Sequence, residues 1–215
     1  MIFLPKTDRP DLQAILDREA AKASGSYLKE EIVDQVEKDS HGKCYLCEDA
    51  EPTSIQVEHL VPHRDDARLK FSWSNLLYAC AHCNGTKGAR YHPILDCSRD
   101  NSVWGQVKLV FTRFPKARIE VWGQPVPGKE TQCENTVRLL EESFQGKTPI
   151  RKRESENLRK KMIRADIELS QAIQGNDQTR VIGLVSAEAS FAGMQRWTLC
   201  LNHPDLWSEI RSQIA

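Results

Sequence analysis

Two Cys-x-x-Cys pairs, Cys44 and Cys47 in CYLC and Cys80 and Cys83 in CAHC, stand on either side of residues 48–79. A two-residue gap turns both sulfurs of such a pair toward one ion, and two pairs offer the four thiolates of a closed tetrahedral zinc site. A site filled in this way keeps no position for water, so the expected Zn2+ is structural and any chemistry comes from what it holds in place. Between the knuckles lie Glu58 and His59 in VEHLVPH, and Asn75 in WSNLLYAC; Asn84 and Lys87 follow the last cysteine in CNGTKG. Acid, imidazole, amide and ammonium groups gathered so tightly suit a second ion and a proton transfer. The alternative is a non-catalytic interaction module in which they are ordinary polar residues.

The elements that must position these groups are short. Glu58 and His59 end the alternation IQVEHL, which predicts a strand running into a turn at Pro62. Neighbouring side chains on a strand face opposite ways, so a site shared by Glu58 and His59 asks for a bend. Upstream, Leu12, Ile15 and Leu16, then Leu28, Ile32, Val33 and Val36, recur at helical spacing on either side of SGS at 24–26. Downstream, VKLVF and RIEVW flank TRFPKA and predict a strand pair. Helical periodicity returns from about 131, with Leu158, Met162, Ala165, Leu169 and Ile173 on one stripe. The basic run across 151–164 is expected on a solvated face, with a polyphosphate or partner contact as the alternative. Residues 181–201 read as one buried helix, and HPDLWSEIRSQI as a last one.

Composition narrows the class. The chain has 215 residues, with Lys plus Arg and Asp plus Glu both at 30, for a formal charge of +0. A free-standing nucleic-acid binder ordinarily carries a basic excess, because phosphate neutralisation provides most non-specific affinity. A nuclease built this way needs locally concentrated charge or a partner that captures substrate. The opening MIFLPKTDRPDLQAIL lacks the plan of a secretory signal, and no window reaches the ~18 apolar residues of a span, so a cytoplasmic location without membrane contact is expected. Seven cysteines then argue for metal and free thiols rather than disulfides. Cys97, Cys133 and Cys200 are expected as small buried hydrophobes.

The ordered set Glu58, His59, Asn75, Asn84 and Lys87 between and after the knuckles resembles the HNH, or ββα-metal, endonuclease family in its zinc-knuckle branch. The resemblance implies an α+β, mainly α chain: a zinc-stapled HNH core at about 41–96 behind N-terminal helices within 1–100, then a strand pair and helical region for packing and partner docking at 101–215. It also implies His59 as general base, Asn75 as its orienting residue, Glu58 and Asn84 as ligands of a catalytic Mg2+ or Mn2+, and Lys87 on a substrate phosphate. HGKCYLCE, VEHLVPH, WSNLLYACAHCNGTKG and ILDCSRDN together resemble the HNH nuclease subunit of Septu anti-phage systems, also found beside some retrons. That likeness implies hydrolysis of phosphodiester bonds alongside an ATPase subunit resembling PtuA, with DNA the favoured substrate and RNA such as tRNA the alternative. His63 stands where a basic residue is expected; the turn at Pro62 offers it a way toward the site, but a surface role is the expectation. Asp96 and Trp73 read as turn and core residues, and His82 as solvent-facing rather than a fifth zinc ligand.

Overall fold

Alternation along two short strands separates the two faces of the region that carries the candidate site. The computed structural model describes residues 1–214. In chain order the elements are α1 (Pro10–Ala20), α2 (Glu30–Asp39), β1 (Ile55–His59), α3 (Ala67–Lys70), β2 (Leu76–Cys80), α4 (Ala81–Lys87), α5 (Val103–Gln106), β3 (Val107–Thr112), β4 (Arg118–Gly123), α6 (Glu130–Gln145), α7 (Pro149–Gln174), α8 (Gln178–Val185), α9 (Ala192–Asn202) and α10 (Pro204–Ile210). Short 3-10 turns occur at Trp73–Asn75 and Arg211–Gln213. The chain is α+β and mainly helical, with two separate two-stranded sheets.

β1 and β2 are antiparallel, with Val57 opposite Tyr78, Glu58 opposite Leu77 and His59 opposite Leu76. Val57, Leu76 and Tyr78 share a core with Leu12 and Leu16 of α1 and Ile32 and Val36 of α2. Leu77, Ala79 and Cys80 instead join a larger core with the other three knuckle cysteines, Leu109 of β3, Leu139 of α6, Met162 of α7 and Met194 of α9. Burying each such Leu or Met contributes roughly 1.5–3 kcal/mol, so the hairpin is fixed from both sides.

α4 follows β2 without a loop. The Cys80 sulfur accepts the Cys83 N–H at 3.3 Å and caps the helix start. Gly88, at φ 49°, ends it in a conformation that side chains avoid. α7 begins on a Thr148 hydroxyl cap with Pro149 in its first turn, and buries Ser155, Leu158, Met162, Asp166, Leu169 and Ala172 at helical spacing.

One expected element divides. The helix predicted over 181–201 becomes α8 and α9, and Phe191 between them has φ 57°. A tertiary contact overrides the local pattern: the Phe191 N–H donates to the Glu48 carbonyl at 3.0 Å, and the buried Lys43 ammonium donates to the carbonyls of Ala187 and Ala189. Of the three unpaired cysteines, Cys97 and Cys133 are buried and Cys200 is only partly so.

Candidate active site

The four knuckle sulfurs all lie within 4.8 Å of one another, and those of Cys47 and Cys80 are 3.9 Å apart. A tetrahedron with Zn–S bonds of ~2.3 Å has sulfur–sulfur edges of roughly 3.8 Å, so the set fits one zinc ion with little movement. Hydrogen bonding within the cluster, chiefly from Cys44, holds the Cys80 thiol far below its ordinary pKa; bonds from Cys44 push Cys47 and Cys83 well above theirs. One thiol is thus held ionised by its neighbours, and the close packing of four sulfurs is the donor set that a zinc ion takes. All four cysteines are buried, consistent with a structural ion.

Glu58 and His59 follow the strand's alternation, with no bend to bring them together. The Glu58 carboxylate, 5% exposed, turns toward α4, where the Lys87 ammonium meets it at 2.7 Å and the Tyr45 hydroxyl donates at 3.1 Å. Lys87, 0% exposed, also donates to the His59 carbonyl at 2.8 Å. It thus pins α4 to β1 from inside and does not reach the surface expected of a phosphate contact. Burial pushes the Glu58 carboxyl up from its usual range, against the pull of Lys87 and Tyr45.

His59, 8% exposed, points the other way. Its ring meets Tyr27 and His63 edge-on, each with centroids 4.7 Å apart. Nε2 lies 3.0 Å from the Lys70 carbonyl oxygen. A carbonyl only accepts, so Nε2 carries the proton and Nδ1 keeps the lone pair. Burial pulls the imidazole below its ordinary value, with the Lys70 carbonyl pulling upward and His63 and Lys87 adding to the decrease. His63 is therefore a neighbour of the candidate base and not a detached surface residue. Its own Nδ1 accepts the Asp65 N–H at 3.0 Å.

Asn75 hydrogen-bonds the loop rather than the imidazole. Its Oδ1 accepts the Val61 N–H at 2.8 Å, and its Nδ2 donates to the carbonyls of Val61 at 2.9 Å and Leu69 at 3.0 Å. The side chain staples both ends of the loop between β1 and β2, and Leu69 adjoins the Lys70 carbonyl on which His59 rests. Asn84, on α4, donates from Nδ2 to the Gln56 Oε1 at 2.5 Å. Gln56 is two residues before Glu58 and so lies on the same side of the strand.

Several participants escaped the sequence. Tyr27 sits in the break between α1 and α2, where periodicity says nothing. Gln56 was legible only through its alternation with Glu58. His82 is neither a zinc ligand nor solvent-facing: Nδ1 meets the Glu154 carboxylate at 2.9 Å and Nε2 the Ser143 carbonyl at 2.7 Å, tying α4 to α6 and α7. Trp73 is a core residue as expected, its indole N–H donating to the Thr7 carbonyl at 3.0 Å, and Asp96 organises a turn through Ser98.

Two thiol knuckles enclosing a strand, a stapled loop, a second strand and a helix make a zinc-knuckle ββα unit. Residues 44–90 match the HNH endonuclease family model, and over that segment the chain resembles HNH endonucleases. The Septu protein PtuB of Bacillus thuringiensis is 30% identical over 107 residues, which is 47% of this chain and 37% of that relative. The aligned region thus spans well under half of the relative's length. No solved structure matches the chain.

Proposed function

We propose that this chain is a metal-dependent HNH endonuclease that hydrolyses phosphodiester bonds in nucleic acid, DNA ahead of RNA. In this reading it is the effector nuclease of a cytoplasmic anti-phage complex with an ATPase subunit of the PtuA kind. The observation that carries the proposal is the setting of His59: a buried imidazole fixed by the Lys70 carbonyl, with Nδ1 left as a proton acceptor. Burial favours the neutral form, which takes a proton from an attacking water near neutral pH. Asn75 acts one step away, by fixing the loop that offers that carbonyl. The likeness to a Septu protein supports the defence setting, and a formal charge of +0 supports a partner that captures substrate.

The oxygen donors of Glu58 and Asn84 suit Mg2+ or Mn2+ in kind. When bound, such an ion supplies Lewis-acid stabilisation of charge on the phosphate and leaving oxygen. Asn84 commits Nδ2 to Gln56, which orients its amide and leaves Oδ1 for a ligand role. Glu58 is already balanced by the buried Lys87 on the side of β1 away from the His59 ring, so Glu58 would hold such an ion only in place of that ammonium, and Lys87 serves the strand–helix contact rather than a phosphate.

The same ion pair favours a second reading, a zinc-stapled module in which Glu58 and Lys87 serve only the fold. The two part on metal and on His59. Incubation with duplex DNA, single-stranded DNA and tRNA, with and without Mg2+ or Mn2+ and the neighbouring ATPase, is expected to show metal-dependent cutting. His59→Ala should cut that rate by ~10²- to 10⁴-fold and keep zinc. Equal cutting by His59→Ala overturns the assignment, and indifference of an intact protein to both metals favours the module.

A further inference from the structure

A cleft of about 400 Å3 opens beside the candidate base. Val57 and Tyr78 of the hairpin and Val33 of α2 line it with buried or half-buried apolar surface. Leu28 and Ile55 line it too, 56% and 43% exposed although both are large hydrophobes. Tyr27 also lines it, and the same ring lies edge-on to His59. Gln56 and Asn84, bonded to each other, bring two amides to its lining.

The lining chemistry selects the occupant. None of the described side chains lining the cleft is charged, so a phosphate entering it loses hydration without a counter-charge. An aromatic face and apolar walls suit a flat ring. Gln56 has its Oε1 taken by Asn84 and keeps its Nε2 donors for acceptors on that ring's edge. A flat ring with a polar edge, attached within one nucleotide of a phosphate at His59, is a nucleobase. In a duplex the base keeps both faces stacked and its pairing edge occupied, and extracting it carries a cost that a single strand escapes.

We propose that this cleft receives an unpaired nucleobase beside the scissile phosphate, so that the substrate class is a polynucleotide single-stranded or locally unpaired at the cut. The proposal rests on the endonuclease reading and narrows it. Tyr27 stacks on the base, the aliphatic walls enclose it, and Gln56 touches its edge. The cleft is indifferent to the sugar, so DNA and RNA are sources that experiment separates.

The test measures binding apart from cutting. The 215-residue chain carrying His59→Ala, together with the neighbouring ATPase and Mg2+, is titrated against labelled single-stranded DNA, single-stranded RNA, the same DNA as duplex, and an abasic strand of equal length. Single strands are expected to bind about tenfold or more tightly than duplex and abasic strands, since one stacked base is worth about 5- to 150-fold. Tyr27→Ala and Leu28→Asp should each erase that advantage, while Tyr27→Phe keeps it. Leu28 is exposed, so Leu28→Asp tests the cleft even where Tyr27→Ala disturbs folding. Equal affinity for duplex and single strand, or no binding to any strand, overturns the proposal. So does an advantage that survives both variants at unchanged zinc content and melting temperature. If His59-dependent cutting persists while these contrasts vanish, the cleft reading alone has failed; if the contrasts hold and cutting ignores His59, the catalytic reading has failed.

Discussion

Arg151, in the first turn of α7, donates from Nη2 to the Gly85 carbonyl oxygen of α4 at 2.6 Å. Its Nη1 donates to the His82 carbonyl at 3.1 Å and to the Thr86 hydroxyl. The last turn of a helix leaves its carbonyls without intrahelical partners and carries partial negative charge, so the guanidinium on the Gly85 carbonyl meets both needs, while its bonds to His82 and Thr86 tie it further along α4. Gly85 makes room: a Cβ on it would stand 3.1 Å from Nη2. The C-terminal helices thereby hold the helix that carries Asn84 and Lys87.

Arg151→Ala should destabilise the chain by ~1–3 kcal/mol, the range for losing charge-assisted hydrogen bonds at a partly exposed site. Arg151→Lys should recover less than half, because an ammonium cannot reproduce the fork. Urea unfolding checks this, and a loss below about 0.5 kcal/mol would show that Arg151 is an ordinary surface residue.

Inside the site, Lys87 and Glu58 form a buried pair, and removing one partner leaves the other charge unsolvated. Lys87→Met is expected to cost ~3–5 kcal/mol, and Glu58→Gln with Lys87→Met together to cost clearly less than Lys87→Met alone. A double variant no more stable than Lys87→Met would mean that the two groups do not interact across the strand–helix contact.

What the sequence made legible follows from the range of the interaction. Thiol spacing survives in one dimension because each knuckle is local, and β1 announces itself by alternation; the same alternation warned that Glu58 and His59 face apart. The Glu58–Lys87 pair depends on how α4 lies against β1, which no local pattern records. Arg151 was hidden for another reason: in a basic run, an arginine that reaches a helix end looks like its solvated neighbours Lys152 and Arg153. Pro62 did hint that His63 turns back toward the site, but the ring contact with His59 needs the whole loop.

Zinc should behave as part of the fold. With all four sulfurs buried, stripping the ion with a strong chelator is expected to unfold at least the region around the knuckles, since binding free energy in such sites is folding free energy. Circular dichroism followed alongside zinc release checks this. Full zinc loss with an unchanged thermal transition would count against the tetrathiolate reading.

Acid should act through Asp100. Burial pushes its carboxyl up, but hydrogen bonds from Lys129 at 2.6 Å, Ser102 and Gln106 outweigh burial and hold it at about 2. A folded value below the ordinary 3.8 means that the unfolded chain binds the proton more readily. The contribution, on the order of 1 kcal/mol given the partly exposed Lys129, is complete above about pH 4 and disappears as pH falls toward 2. Asp100→Asn should lose that portion of the acid dependence between pH 4 and 2 while leaving the rest, as unfolding free energies across that window would show.

Asn75 offers the sharpest separation of support from chemistry. Its amide fills three backbone valences at residues 61 and 69, so Asn75→Ala leaves two carbonyls and one N–H of a tight loop without partners, at a cost of ~2–4 kcal/mol. The looser loop no longer fixes the Lys70 carbonyl, and the His59 ring loses its anchor. Asn75→Asp should fare little better: one carboxylate oxygen can still accept from Val61, but the other faces two carbonyl oxygens with no proton to give. Hydrogen exchange is therefore expected to accelerate across residues 61–70 in both variants and to stay unchanged at the cysteine knuckles. Cutting should fall by at least tenfold with substrate affinity nearly intact, because what is lost is the aim of the base. Slowed cutting with unaltered exchange in that loop would mean that Asn75 acts on the substrate directly and that the staple is incidental.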